Sequence, residues 1–120
     1  LFAPELGVAR AWRLASMRDL HGAVTAARDA ARMAERGGQP AVALRAWHEA
    51  VRLGDTRAGD PLARLCREID CVAGRIALAH AQALAAGDDA ALRAVSDDLA
   101  AVGMRAAAAD AAAQARRCGG

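Results

Sequence analysis

The chain has 120 residues, 36 of them alanine, and its 16 arginines against 14 acids leave a formal net charge of +2 with no lysine at all. That length suits one domain, and a charge so small and so mixed along the chain excludes the electrostatic footprint of a nucleic-acid binder. No uninterrupted apolar run reaches the roughly 18 residues that a membrane span requires, and no charged-then-apolar leader is present, so a cytoplasmic protein with no membrane contact is expected.

Alanine and arginine favour helices, while the β-branched and aromatic residues that strands prefer are scarce. An all-α chain of about seven helices follows. The first is predicted from about Pro4 to Arg18, and Asp19 caps a second from Leu20 to Arg36. "GGQP" stops that helix, with Gly37 as the left-handed cap, and Pro40 opens a third to about Leu53. Its Ala43, Ala46, Trp47, Ala50 and Val51 share one face, opposite Arg45, His48, Glu49 and Arg52. Asp60 is the expected N-cap of a short fourth helix that starts at Pro61. A fifth, about Cys71 to Ala86, is apolar nearly all round and is expected between neighbours. Gly87 and Asp88 stop it and cap a sixth, which Gly103 ends. A seventh, about Met104 to Arg117, carries Ala107, Ala108, Ala111, Ala112 and Ala115 as a stripe so weakly apolar that further chain or a second copy is expected to cover it, making a homodimer possible.

Both tryptophans, Trp12 and Trp47, lie in Arg-Ala-Trp triplets 35 positions apart, and the turns "SMRD", "RLGD" and "AAGD" place Asp19, Asp55 and Asp88 at spacings of 36 and 33. A period near 34 is that of the tetratricopeptide unit, a helical hairpin that buries its faces only by stacking on the next. Antiparallel hairpins stacked as a tetratricopeptide-like array are therefore expected, with an irregular bundle as the alternative. Trp12 and Trp47 are the expected inter-helix plugs, and Asp19, Asp60 and Asp88 the caps. The W-x2-L-G-x2-Y pattern of the strict repeat is absent.

Chemistry-bearing constellations are sparse. Cys66, Cys71 and Cys118 have neither disulfide-framework nor zinc-finger spacing, and are read as packing thiols. His21, His48 and His80 fall on three different helices with nothing to bring them together, and His48 beside Glu49 is expected to be solvated. Asp88 and Asp89 suit a helix start, Asp97 and Asp98 an outward face, so no metal site is expected. Ser16 and Ser96 lack a nucleophile elbow, and no phosphate-cradling loop exists. No catalytic, cofactor-binding or metal-binding residue is assigned, and the chain is read as non-enzymatic. "TAARDAARMAER" alternates charges that repel phosphate as often as they attract it.

The run "RAWRLASMRDLHGAVTAARDAARMAERGGQPAVALRAWHEAVRLGD", followed by "RIALAHAQALAAGDDAALRAVSDDLAAVGMRAAAADAAAQARR", resembles the helical-repeat region of large actinobacterial LuxR-family transcriptional regulators. The likeness lies in the "RLGD" turn, the "AHAQALAAGD" stretch and the "VG" stop before an alanine-rich helix. "VSDDLAAVG" departs from it, standing where that family is more aromatic. The resemblance implies a MalT-type signal-transduction ATPase module before this region and a LuxR helix-turn-helix after it. ATP and DNA would then be bound only by those flanking domains, with no cofactor in this segment. With Leu1 as first residue and "RRCGG" as last, residues 1–118 are expected to be one tetratricopeptide-like domain of a longer protein, and 119–120 the start of a linker. The expected function is a non-catalytic sensor or scaffold that binds a protein or small effector. An autonomous tetratricopeptide-like adaptor is the alternative, and a catalytic bundle using His48 and Glu49 a third reading.

Overall fold

A helix whose buried stripe is made of small residues can approach its neighbours closely, and the computed structural model, which describes residues 3–119, has this design in α2 and α7. Its described residues form seven helices and no strand: α1 Pro4–Ser16, α2 Leu20–Arg36, α3 Pro40–Arg52, α4 Gly59–Glu68, α5 Val72–Ala86, α6 Asp89–Ala101 and α7 Arg105–Gly119. Short links make sequential helices double back on one another. The closest pairings are α1 with α2, α6 with α7, and α2 with α3. In α2 the buried side chains are Ala23, Ala27, Ala30, Ala31 and Ala34, one face of the helix and nothing larger than a methyl group.

The third helix is the hub. It touches α1, α2, α4, α5 and α7, so it is covered on several sides. Around it lies the largest core cluster, which includes Leu44, Trp47, Val51, Leu62 and Leu65. A linear repeat array keeps each unit against its neighbours alone, whereas the contact of α3 with α7 folds the stack back on itself. The radius of gyration agrees, at 13.3 Å against about 13.6 Å for a compact domain of this length.

Five of the six links between helices share one device, the exception being the extended link from α4 to α5. In each of the five, one residue after the turn reaches back to a carbonyl five positions earlier: Asp19 to Leu14 at 2.9 Å, Gln39 to Ala34 at 2.9 Å, Asp55 to Ala50 at 2.9 Å, Asp88 to Ala83 at 3.1 Å and Met104 to Leu99 at 2.9 Å. Each bond is the long one of a Schellman motif, which needs a left-handed residue just before it. Gly38, Gly54, Gly87 and Gly103 supply that conformation, and Arg18 does so at φ 65° without being glycine. The left-handed residue after α2 is thus Gly38 rather than Gly37, whose φ is −83°.

Two boundaries differ from expectation. Ala58 has helical dihedrals and its carbonyl accepts from the Leu62 N–H, so α4 begins at Gly59, ahead of the expected start at Pro61. Asp60 therefore lies inside the first turn and caps nothing through its side chain. The seventh helix continues through Gly119, past its expected end at about Arg117, and Gly120 lies outside the described residues. The alanine stripe of α7 is covered within the chain: Ala107, Ala108 and Ala111 pack with Val95 and Leu99 of α6 and with Ile76 and Ala79 of α5. Ala115 is buried as well, and Ala112 is half-buried.

Candidate functional site

The two tryptophans occupy matching positions and make matching bonds. Trp47 on α3 donates its indole N–H to Glu35 Oε2 on α2 at 2.9 Å, and Trp12 on α1 donates to Glu49 Oε2 on α3 at 2.8 Å. Each glutamate also receives an arginine, Arg64 on Glu35 and Arg52 on Glu49. A guanidinium covers each ring, Arg32 at 5.8 Å from Trp47 and Arg52 at 4.6 Å from Trp12. Trp47 is 4 % exposed, while Trp12 is only half-buried. Burial pushes the Glu35 carboxyl up, but its bonds from Arg64 and Trp47 and the nearby arginine charges outweigh this and hold it below its ordinary value.

The exposed side of Trp12 opens onto a cleft of about 690 Å³. Trp12 and Ala15 of α1 form one wall, Leu20, His21, Val24 and Arg28 of α2 another. Its floor is the end of α3 and the following loop, Arg52 to Thr56, and Arg117 of α7 reaches its rim. Asp55 lies 2 % exposed at the base, where it accepts from Arg28 Nε at 2.8 Å and Arg28 Nη2 at 2.5 Å, and from the Arg57 backbone N–H at 2.9 Å. Burial pushes the Asp55 carboxyl up, yet the Arg28 and Arg57 bonds prevail and hold it ionised below its ordinary range. Asp55 thus differs from Asp19 and Asp88, the other two members of its repeat. Those stay outside and cap helices, Asp19 accepting from Gly22 N–H at 2.9 Å and Asp88 from Ala91 N–H at 3.1 Å.

Arg52 connects this cleft to the last helix. Besides covering Trp12 and bonding Glu49, it donates through Nε to Asp110 Oδ2 of α7 at 2.7 Å. Under it lies a buried polar chain that corrects the expectation for His48. Far from solvated, His48 is 4 % exposed and His80 fully buried, and their rings meet edge to face with His48 Nε2 3.0 Å from His80 Nδ1. His80 Nε2 lies 2.7 Å from Gln114 Oε1, and Gln114 Nε2 donates to the carbonyls of Val51 at 2.9 Å and Arg52 at 3.3 Å. Those carbonyls fix the amide orientation, so Oε1 must accept from His80 Nε2–H. His80 Nδ1 is then the acceptor and His48 Nε2 the donor.

A second proton on His80 would set two N–H groups against each other. Burial accordingly lowers His48 to about 3, with the neighbouring His80 and Arg52 adding to the effect. His80 is lowered as well, chiefly by burial, against the opposing influence of Gln114 and Asp110. His48 and Glu49 do not act on a common point: the first bonds His80, the second Trp12 and Arg52. Neither His48 nor His80 lines the cleft, whereas the exposed His21 does.

Among the described residues no group of three or more His, Cys, Asp or Glu side chains is placed to hold a metal ion, and no helix is long and apolar enough to cross a membrane. Of the five residues singled out by sequence, Trp12 lies at the cleft under Arg52, Trp47 anchors the core, Asp19 and Asp88 cap, and Asp60 stands exposed on α4. Arg28, Asp55, Arg52 and Gln114 were missed as site residues. Comparison with models of protein families, with curated protein sequences and with solved structures found no match to this chain.

Proposed function

We propose that the chain is a non-catalytic sensor or scaffold segment of a LuxR-family transcriptional regulator working in the cytoplasm, and that its effector, a small molecule or a protein segment, binds in the cleft between α1, α2 and the end of α3. The carrying observation is that Arg52 belongs both to the cleft wall and, through Asp110, to α7. A ligand that displaces Trp12 or Arg52 would alter the seating of α7, and in a longer protein α7 would hand that change to a DNA-binding domain. Coupling of this kind requires that the effector favour one of two states over the other. The motifs quoted above support the regulator assignment. ATP and DNA would be bound by flanking domains.

The test is the DNA affinity of the complete regulator with and without effector. Blocking the cleft by Ala15→Trp should abolish the effector response and leave basal DNA binding intact. A response that survives both that change and deletion of residues 1–120 would defeat the proposal. A tetratricopeptide-like adaptor is favoured instead by one feature, the 58 % exposed Leu20 at the cleft, which suits an apolar side chain of a bound peptide. The reading frame separates the two: a P-loop upstream and a helix-turn-helix downstream favour the regulator, and stop codons the adaptor.

A further inference from the structure

The link between α4 and α5 carries a pair of thiols that neither the cleft nor the histidine chain uses. Cys66 lies in the last turn of α4 and Cys71 is the N-cap of α5. Both sulfurs address one backbone residue. Cys66 Sγ donates to the Gly74 carbonyl at 3.3 Å, and the Gly74 N–H donates to Cys71 Sγ at 3.3 Å. A Cβ at position 74 would stand 3.3 Å from Cys71 Sγ, 3.4 Å from Cys66 Sγ and 2.9 Å from Leu44 Cδ1. Glycine at 74 therefore lets Leu44 and both sulfurs close on the backbone of α5, where a side chain would not fit, and it brings the two thiols to one point of the chain.

Their surroundings differ. Cys71 lines a surface cavity of about 270 Å³ with Leu44, Arg45 and Ile69 among its other walls, so a small solute reaches it directly. Its sulfur accepts the Gly74 N–H in the first turn of α5. For Cys66, burial pushes the thiol up, Cys71 adds to this, and Arg75 opposes it. Cys118 is exposed near the end of α7, remote in sequence from both.

We propose that Cys66 and Cys71 form a peroxide-sensitive dithiol switch in which Cys71 attacks and Cys66 resolves. The Cys71 thiolate takes one oxygen of hydrogen peroxide, the O–O bond breaks, and the departing hydroxide gains the proton that Cys71 gave up, leaving a sulfenic acid and one water. Cys66 then attacks the Cys71 sulfur, the S–O bond breaks, and the displaced hydroxide leaves with the Cys66 proton as a second water. One peroxide is reduced to two waters while two thiols become one disulfide. A small dithiol reverses the change by exchange. Transient bonds of this type are the usual use of disulfides in a reducing cytosol. The disulfide ties the N-cap of α5 to the last turn of α4.

The test is peroxide treatment of the whole chain followed by alkylation and mass analysis. Titratable thiols should fall from three to one, the disulfide should map to Cys66 and Cys71, and a dithiol should restore all three. Cys66→Ser should halt at a Cys71 sulfenic acid trapped by a cyclic diketone. Cys71→Ser, which keeps a capping oxygen, should leave Cys66 reduced in a chain whose circular dichroism is unchanged. Oxidation at Cys118 first, joining chains while Cys66 and Cys71 remain alkylatable, would overturn the proposal. So would equally fast oxidation of Cys66 in Cys71→Ser.

Discussion

Trp12 and Trp47 share a triplet, a glutamate acceptor on another helix and an arginine over the ring, yet one is half-buried beside a cleft and the other is sealed in the core. The difference follows from position in the stack. Trp47 belongs to the central helix and packs in the main core cluster with side chains of α2, α4 and α5, whereas Trp12 packs in a smaller cluster from α1, α2 and the end of α3 and leaves one side on the cleft. One sequence device thus serves two purposes, core at Trp47 and cleft wall at Trp12.

The sharpest way to break that comparison is truncation. Trp47→Ala should cost about 3 to 5 kcal/mol, as for a buried large-to-small change, and Trp12→Ala about half as much because half-burial forfeits less transfer energy. Equal losses in chemical denaturation would show that the two sites are energetically alike.

The cleft floor offers the next largest effect. Arg28→Ala strands a carboxylate whose side chain has no exposure, for about 3 kcal/mol or more. Asp55→Ala leaves Arg28, which is 25 % exposed, free to turn to water, so its cost should be clearly smaller. The reverse order in a denaturant series would mean that Asp55 is not held as described.

Acid should weaken the histidine chain behind the cleft. Above about pH 6.5 both histidines are neutral in folded and unfolded chains, and they contribute no pH dependence. Below it the unfolded chain takes up protons that the folded chain refuses, so stability falls by up to about 1.4 kcal/mol per pH unit for each histidine. The decline continues until His48 itself titrates at about 3. His48→Gln, which retains a donor for His80, should make the slope shallower between pH 6 and 4 by removing the His48 share. A flat profile in the parent chain would exclude the buried neutral pair.

Helix caps are the smallest and most selective probe. Asp19→Ala and Asp88→Ala should each cost about 1 kcal/mol, whereas Asp60→Ala should stay within about 0.5 kcal/mol, since an exposed first-turn acid offers only its interaction with the helix dipole. Thermal melts of the three variants rank them directly.

Local signals were legible in the sequence wherever chemistry and geometry are local. The second helix runs from Leu20 to Arg36 as expected because Asp19 caps it and the glycine pair before Pro40 stops it. Asp60 misled because a good capping residue followed by proline looks the same whether the helix starts there or one turn position earlier. His48 misled for a different reason. Periodicity sorts residues into one buried and one wet face, but a hub helix has neighbours on several sides, so His48 on its polar side is buried although Arg45 stays exposed. One sign was available: His80 follows His48 by 32 positions, nearly the repeat period. Asp55 shares its turn with Asp19 and Asp88 but faces Arg28, a partner 27 positions away that no local rule could supply.

The central claim is that Arg52 ties Trp12 at the cleft to Asp110 on α7. The most direct measurement is Trp12 emission and quencher access in a Trp47→Phe chain, with and without Asp110→Ala. Loss of the α7 carboxylate should loosen Arg52 from the ring, shift the emission and raise quenching in a chain that remains helical. Identical spectra and quenching would mean that the cleft and α7 are not connected through Arg52.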